Sequence, residues 1–210
     1  MTASSSLSDN ENKAVLRHMF TSDVTSLKKK KRRSSVGRPV TIMRDHPEAR
    51  QEGGEEATTL VSRFNQLQEE RVLTYRRLDD GHKAYLATRP QYDFTTYRHC
   101  VHDVTQAFSK VSEGVLEVEA ALRSGGHTAL ADILEAIQEC ERRKLELTVH
   151  LQLARQMVEE VEEGGVIMGG GELERSKVRE LRGQLGKVVE EINDLLTELR
   201  YEVHGEGEGD

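Results

Sequence analysis

Glu146 and His150 stand four apart in a stretch that reads as helix. That pairing raises the chemistry helical bundles often host, a carboxylate-rich di-iron site. Such a site needs Glu-x-x-His, three apart, from each of two helices. The chain contains no Glu-x-x-His, and the Glu146 to His150 step is one residue too long. His99, Cys100 and His102 make a second cluster, and thiolate and imidazole are both zinc ligands. A fourth ligand would have to come from elsewhere, and no Cys-x-x-Cys is present. The plainer reading is a buried thiol between surface histidines. Gly164, Gly165 and Gly169 to Gly171 resemble a phosphate-binding loop in glycine content alone. No Lys-Ser/Thr follows them, and a helix rather than a strand precedes them, so they read as a linker. Asp79–Asp80 and Glu159, Glu160, Glu162 and Glu163 read as solvated helix faces. No nucleophile stands beside a base. The chain is therefore read as non-enzymatic, with no catalytic residue, metal, cofactor or small-molecule substrate.

The elements that must position these residues are long amphipathic helices. Apolar residues fall at Tyr97, Val101, Val104, Phe108, Val111, Val115, Val118 and Leu122, at alternating steps of four and three. This heptad seam puts all eight on one face, which needs partner helices to cover it. Asp93 caps the start of that helix, Tyr92 and Tyr97 fit a hydrophobic staple across the cap, and Ser124-Gly125-Gly126 ends it. A helix before it starts near Thr58–Thr59 and carries Leu60, Phe64, Leu67, Arg71, Tyr75, Leu78, His82 and Tyr85 on its stripe. Arg71 and His82 interrupt that stripe. Gly81 either weakens it or lets a neighbouring helix come close, and Pro90 stops it. A third helix runs from about Thr128 to Glu163, where Leu134, Leu145 and Leu153 widen the stripe enough for more than one neighbour. A fourth spans about Glu172 to Val203, with a clean seam from Val178 to Leu199.

Short connections between the first three helices favour antiparallel neighbours. The fold expected is all-α: an antiparallel long-helix bundle of three to four coiled-coil-like amphipathic helices. The boundaries are a disordered basic tail (1–54), a three-helix core (55–163), a Gly-rich linker (164–171), a fourth helix (172–204) and an acidic tail (205–210). If the second turn lies near Gly125, Cys100 and Cys140 sit about 15 Å out of register along antiparallel helices. A disulfide tolerates about 7 Å between Cα atoms, so free thiols are expected.

Charge divides the 210 residues in two. Residues 1–54 hold 11 Lys and Arg against 6 Asp and Glu, a charge of +5, and residues 55–210 hold 19 against 31, a charge of −12. Lys28, Lys29, Lys30, Lys31, Arg32 and Arg33 carry most of the tail's charge. Such a run fits a nuclear-import signal; a phosphate-binding arm and a solvated linker are the other readings. Ser35 follows Arg32 and Arg33 at a spacing basophilic kinases accept, and a phosphate there would subtract up to about two charges. Two cysteines make no disulfide framework, no apolar run approaches a membrane span, and the first residues lack a signal-peptide core. A soluble protein of the nucleus, the cytoplasm or both is expected.

A resemblance rests on Gln66 to Arg71, Tyr75 to His82, Tyr85–Leu86, Tyr92-Asp93-Phe94, Tyr97–Arg98, Val101 to Gln106 and Val115 to Ala120. In these residues the chain resembles the required-for-excision B-domain family. The likeness is strong over residues 60–122 and thins through the third and fourth helices. Thr95 stands where the resemblance leads one to expect proline at the first turn, and the cap logic survives that departure. The resemblance implies a part in repair of ultraviolet-damaged DNA and brings no catalytic residues. A helical domain at −12 repels a duplex, so the implied role is indirect: an adaptor or scaffold that docks on protein partners. It would not grip DNA itself, and the basic tail would add at most weak nonspecific contact. The alternative is a structural coiled-coil subunit of a complex unrelated to repair.

Overall fold

The computed structural model describes residues 47–163 and 170–205, and every element among them is an α-helix: α1 (Pro47–Ala87), α2 (Phe94–Ser124), α3 (Thr128–Glu163) and α4 (Gly170–Gly205). The helix α1 begins well before Thr58–Thr59, so residues 47–54 belong to the helix and not to the tail. Proline suits a helix's first position, because its missing N–H has no partner there anyway. Glu48, Ala49, Arg50, Gln51 and Glu52 then favour helix enough to carry it through Gly53–Gly54. Gly170 and Gly171, assigned above to the linker, form the first residues of α4.

The turn between α1 and α2 is held by side chains. Thr88 donates from Oγ1 to the Tyr85 carbonyl at 2.7 Å, and the Asp93 N–H donates to that same hydroxyl at 2.8 Å. Asp93 caps α2, accepting from the Thr96 N–H at 3.0 Å and its hydroxyl at 2.6 Å. Tyr92, at φ 30°, does not act alone on Tyr97. Both rings pack on Tyr85, at 5.1 and 4.7 Å. The other end of α2 closes as a Schellman motif: His127 N–H donates to the Leu122 carbonyl at 2.9 Å and Gly126 N–H to that of Arg123 at 3.2 Å. Gly126 supplies the left-handed residue, at φ +88°.

All eight seam residues of α2 are buried. At one end of the bundle the four helices share a core: Ala57, Val61 and Phe64 of α1 meet Val115, Val118 and Leu122 of α2, Leu130, Leu134 and Ile137 of α3, and Leu199 of α4. The start of α1 thus lies beside the end of α2, the start of α3 and the end of α4, an antiparallel arrangement. At the other end α1, α2 and α3 close alone, through Leu78, Tyr85, Tyr97, Val101, Phe108, Val149 and Leu153. There α4 packs on α3 only, through Val178 and Leu181 against Leu151 and Ala154. The broad stripe of α3 serves this double duty. Two places bring α1 and α2 unusually close. A Cβ at Gly114 would lie 2.9 Å from a Leu67 methyl, and one at Gly81 would lie 2.4 Å from the Cys100 sulfur.

Candidate interaction site

The cysteines face different helices and are both free thiols. Cys100 turns onto α1, its Sγ 3.7 Å from the Arg77 carbonyl, and burial pushes the thiol up. Cys140 turns toward α4, where its Sγ lies 3.7 Å from a Glu191 oxygen. His102 bonds Gln106 at 3.0 Å. With Phe94, Thr95, Arg98 and His99 it lines an open surface depression. Glu146 is bound by Arg142 at 2.6 Å, and His150 is exposed. Among the described residues no three His, Cys, Asp or Glu side chains are placed to hold a metal ion. The basic run Lys28 to Arg33 and Ser35 lie outside the described residues.

The two interruptions of the α1 stripe are in the core. Arg71 is 3% exposed and His82 2%. The Arg71 guanidinium donates to Gln138 Oε1 at 2.5 Å and Gln68 Oε1 at 3.1 Å. Burial holds it below the ordinary guanidinium range, against the pull of Glu141. Glu141 is itself buried and takes Lys144 at 3.2 Å. The Lys144 ammonium sits 4.2 Å over the Tyr75 ring, and the Tyr75 hydroxyl donates to the Glu141 carbonyl at 3.4 Å. This polar layer crosses from α1 to α3 between the two apolar clusters. Nearer the α1–α2 turn, Gln152 accepts from the Tyr97 hydroxyl at 3.2 Å and donates to the Leu78 carbonyl at 3.4 Å. His82 stands 5.8 Å from the Tyr97 ring. Burial, with Arg155 nearby, pushes its pKa down to about 4, so at neutral pH it is uncharged.

Partner positions of this layer lie on α3, 66 to 74 residues along the chain from α1. No local period could reveal them. The signal available in sequence was the pair of polar residues standing at seam positions.

Several basic residues of the first hairpin are held within the fold. Arg63 pairs with Glu117 at 2.8 Å, Arg89 with Glu159 at 2.9 Å, and Lys83 with Asp79 at 2.6 Å. Arg123 joins the end of α2 to the start of α3 through Glu119, Asp132 and Glu135. Arg143 pairs with Glu191 across α3 and α4. The outer faces carry Val72 and Leu73 on α1 and Leu173, Val189 and Tyr201 on α4 as exposed apolar side chains. No helix among the described residues is long and apolar enough to cross a membrane.

A family model for DNA repair REX1-B matches residues 59–155, which take in all of α2, most of α1 and α3, and none of α4. The chain is 37% identical over 145 residues to the required for excision 1-B domain-containing protein of Mus musculus, covering 69% of this chain and 79% of that one. It is 35% identical over 144 residues to the protein of that name in Bos taurus, covering 68% and 74%. It is 25% identical over 143 residues to the heterochromatin silencing protein rss1 of Schizosaccharomyces pombe, covering 68% and 97%. No solved structure matches.

Proposed function

The chain belongs to the DNA repair REX1-B family, and from that membership we propose that it serves repair of ultraviolet-damaged DNA as a non-enzymatic helical adaptor. One observation carries this reading. Four of the side chains that could do chemistry are spent on holding helices together: Cys100 against Gly81, Cys140 against Glu191, His82 and Arg71 within the α1–α3 core. What the bundle presents outward is long helix surface, which would suit docking of proteins. The charge of −12 on residues 55–210 supports indirect action, because a net acidic surface works against the release of counterions that drives binding to phosphate. Place of action would be the nucleus, reached through Lys28 to Arg33. The test is affinity purification of the tagged full chain from cells before and after ultraviolet irradiation. Repair proteins are expected to co-purify and to rise with damage. Their absence from both samples, with other complex subunits recovered, would replace this reading with that of a structural subunit unrelated to repair.

The name of the fission-yeast relative favours a second reading, action within a chromatin-silencing complex. The same purification separates the two: silencing proteins without repair proteins would support it.

A further inference from the structure

Two adjacent side-chain pairs stand exposed on the outer face of α1. Val72 and Leu73 are 47% and 56% exposed. Arg76 and Arg77 follow four residues after each, which puts Val72 beside Arg76 and Leu73 beside Arg77 on the helix surface. An acidic residue at those two earlier positions would pair with the arginines; apolar residues stand there instead. The carboxylates on the other side are occupied. Asp79 holds Lys83 at 2.6 Å and Arg155 at 3.6 Å, and Asp80 holds Lys83 at 3.6 Å. Neither Arg76 nor Arg77 joins a carboxylate among the described residues. This happens in a chain with 37 Asp and Glu against 30 Lys and Arg, where Arg63, Arg89, Arg123 and Arg142 each find an acidic partner.

We propose that Val72, Leu73, Arg76 and Arg77 form a docking strip for an acidic amphipathic helix of a protein partner, with two apolar anchors flanked by Asp or Glu. This rests on the adaptor reading and gives one partner its chemistry. Covering Val72 and Leu73 supplies the apolar burial such a contact needs. An unpaired guanidinium takes a carboxylate in bidentate fashion and loses no internal ion pair in doing so. Arginine is also among the residue types that dominate interface energies. A duplex fits worse. A phosphate row offers Val72 and Leu73 nothing apolar to cover them.

The test uses the immobilised full chain to select from a displayed library of random helix-biased peptides. Affinities of the selected peptides are then measured for the wild type, Val72→Ser/Leu73→Ser and Arg76→Glu/Arg77→Glu. All four positions are exposed, and thermal melts of the variants should match the wild type. Selected peptides are expected to carry an apolar pair flanked by Asp or Glu. Each double variant should weaken them about 30-fold or more, and Arg76→Glu/Arg77→Glu should prefer peptides whose acidic residues are changed to Lys. Selection of peptides without acidic residues, or affinity unchanged in Arg76→Glu/Arg77→Glu, would overturn the strip. So would a concentration-dependent dimer lost in Val72→Ser/Leu73→Ser, which makes a second copy the occupant, or duplex binding lost in Arg76→Glu/Arg77→Glu. Repair proteins purified equally with the wild type and both variants would remove the strip and leave the adaptor standing. Selected peptides that behave as expected, with no repair protein on the wild type, would remove the repair role and leave the strip.

Discussion

Phe108 meets Tyr75 edge-on, ring centroids 4.7 Å apart, and is 7% exposed at the centre of the α2 seam. Truncation there removes the ring from the core shared by three helices. Phe108→Ala is expected to cost about 3–5 kcal/mol, read as a lowered midpoint in urea; an unchanged midpoint would contradict the burial. His82 gives a second prediction, and it concerns pH. In the folded chain His82 takes up a proton only near pH 4, while an unfolded histidine does so near 6.5. Between those values the unfolded state binds more protons, so stability is complete above about pH 6.5 and falls as pH drops toward 4. The loss is on the order of 3 kcal/mol. It should be the difference between the acid profiles of the wild type and His82→Gln; parallel profiles would refute it. The eight seam residues were legible because a heptad repeats locally. Arg71 and His82 were legible only as exceptions. Their meaning depends on Gln138 and Gln152, brought alongside because α3 turns back along α2 and so runs parallel to α1.

Helix pairing at the scale of elements turns on how closely α1 can approach α2. At Gly81 an added Cβ would lie 2.4 Å from the Cys100 sulfur but 3.5 Å from its Cβ, an ordinary contact. This separates two effects that usually oppose one another. Gly81→Ala alone should destabilise, because Cys100 must rotate or α2 must move. In a Cys100→Ala background the same change meets only open contact, and the helix propensity of alanine should stabilise by up to about 1 kcal/mol. Thermal melts of the four chains make a complete cycle, and a Gly81→Ala effect of the same sign in both backgrounds would show that the sulfur contact is not what limits the approach. The helix ends show what sequence reveals and what it hides. Asp93 and the Gly125–Gly126 turn act within a few residues, and both stand where their chemistry indicates. The start of α1 was obscured by Gly53–Gly54, two residues of low helix propensity. The price of two glycines is small against a run of good helix formers behind Pro47. Likewise the width of the α3 stripe indicated several neighbours, but their identity needed the fold. With α4 on one side and α1 and α2 on the other, α3 is the helix that joins the two hairpins.

For the whole molecule, the division of charge decides how it meets nucleic acid. Residues 1–54 and 55–210 carry +5 and −12. Of the basic residues of the first hairpin, Arg71 is buried and Arg63, Lys83 and Arg89 hold carboxylates, so they form no open cationic surface for a duplex. Arg76, Arg77 and Arg98 remain open, and Asp79 and Asp80 bracket the first two. Any affinity of the full chain for DNA should then come from Lys28 to Arg33, and each phosphate contact made there releases counterions and weakens with salt. The experiment is titration of fluorescent duplex, intact and ultraviolet-damaged, with the full chain and with a chain in which those six residues are Ala, at about 50 and 200 mM salt. Expected are weak binding by the full chain, equal for both duplexes and lost at the higher salt, and none by the variant. Replacing the run should also lower the nuclear fraction of a tagged protein, since the same cations would serve import. Tight, salt-resistant binding of the damaged duplex by the variant would reverse the assignment. The recognising surface would then lie in the helices themselves, and the bundle would be a lesion sensor instead of an adaptor that reaches DNA through its partners.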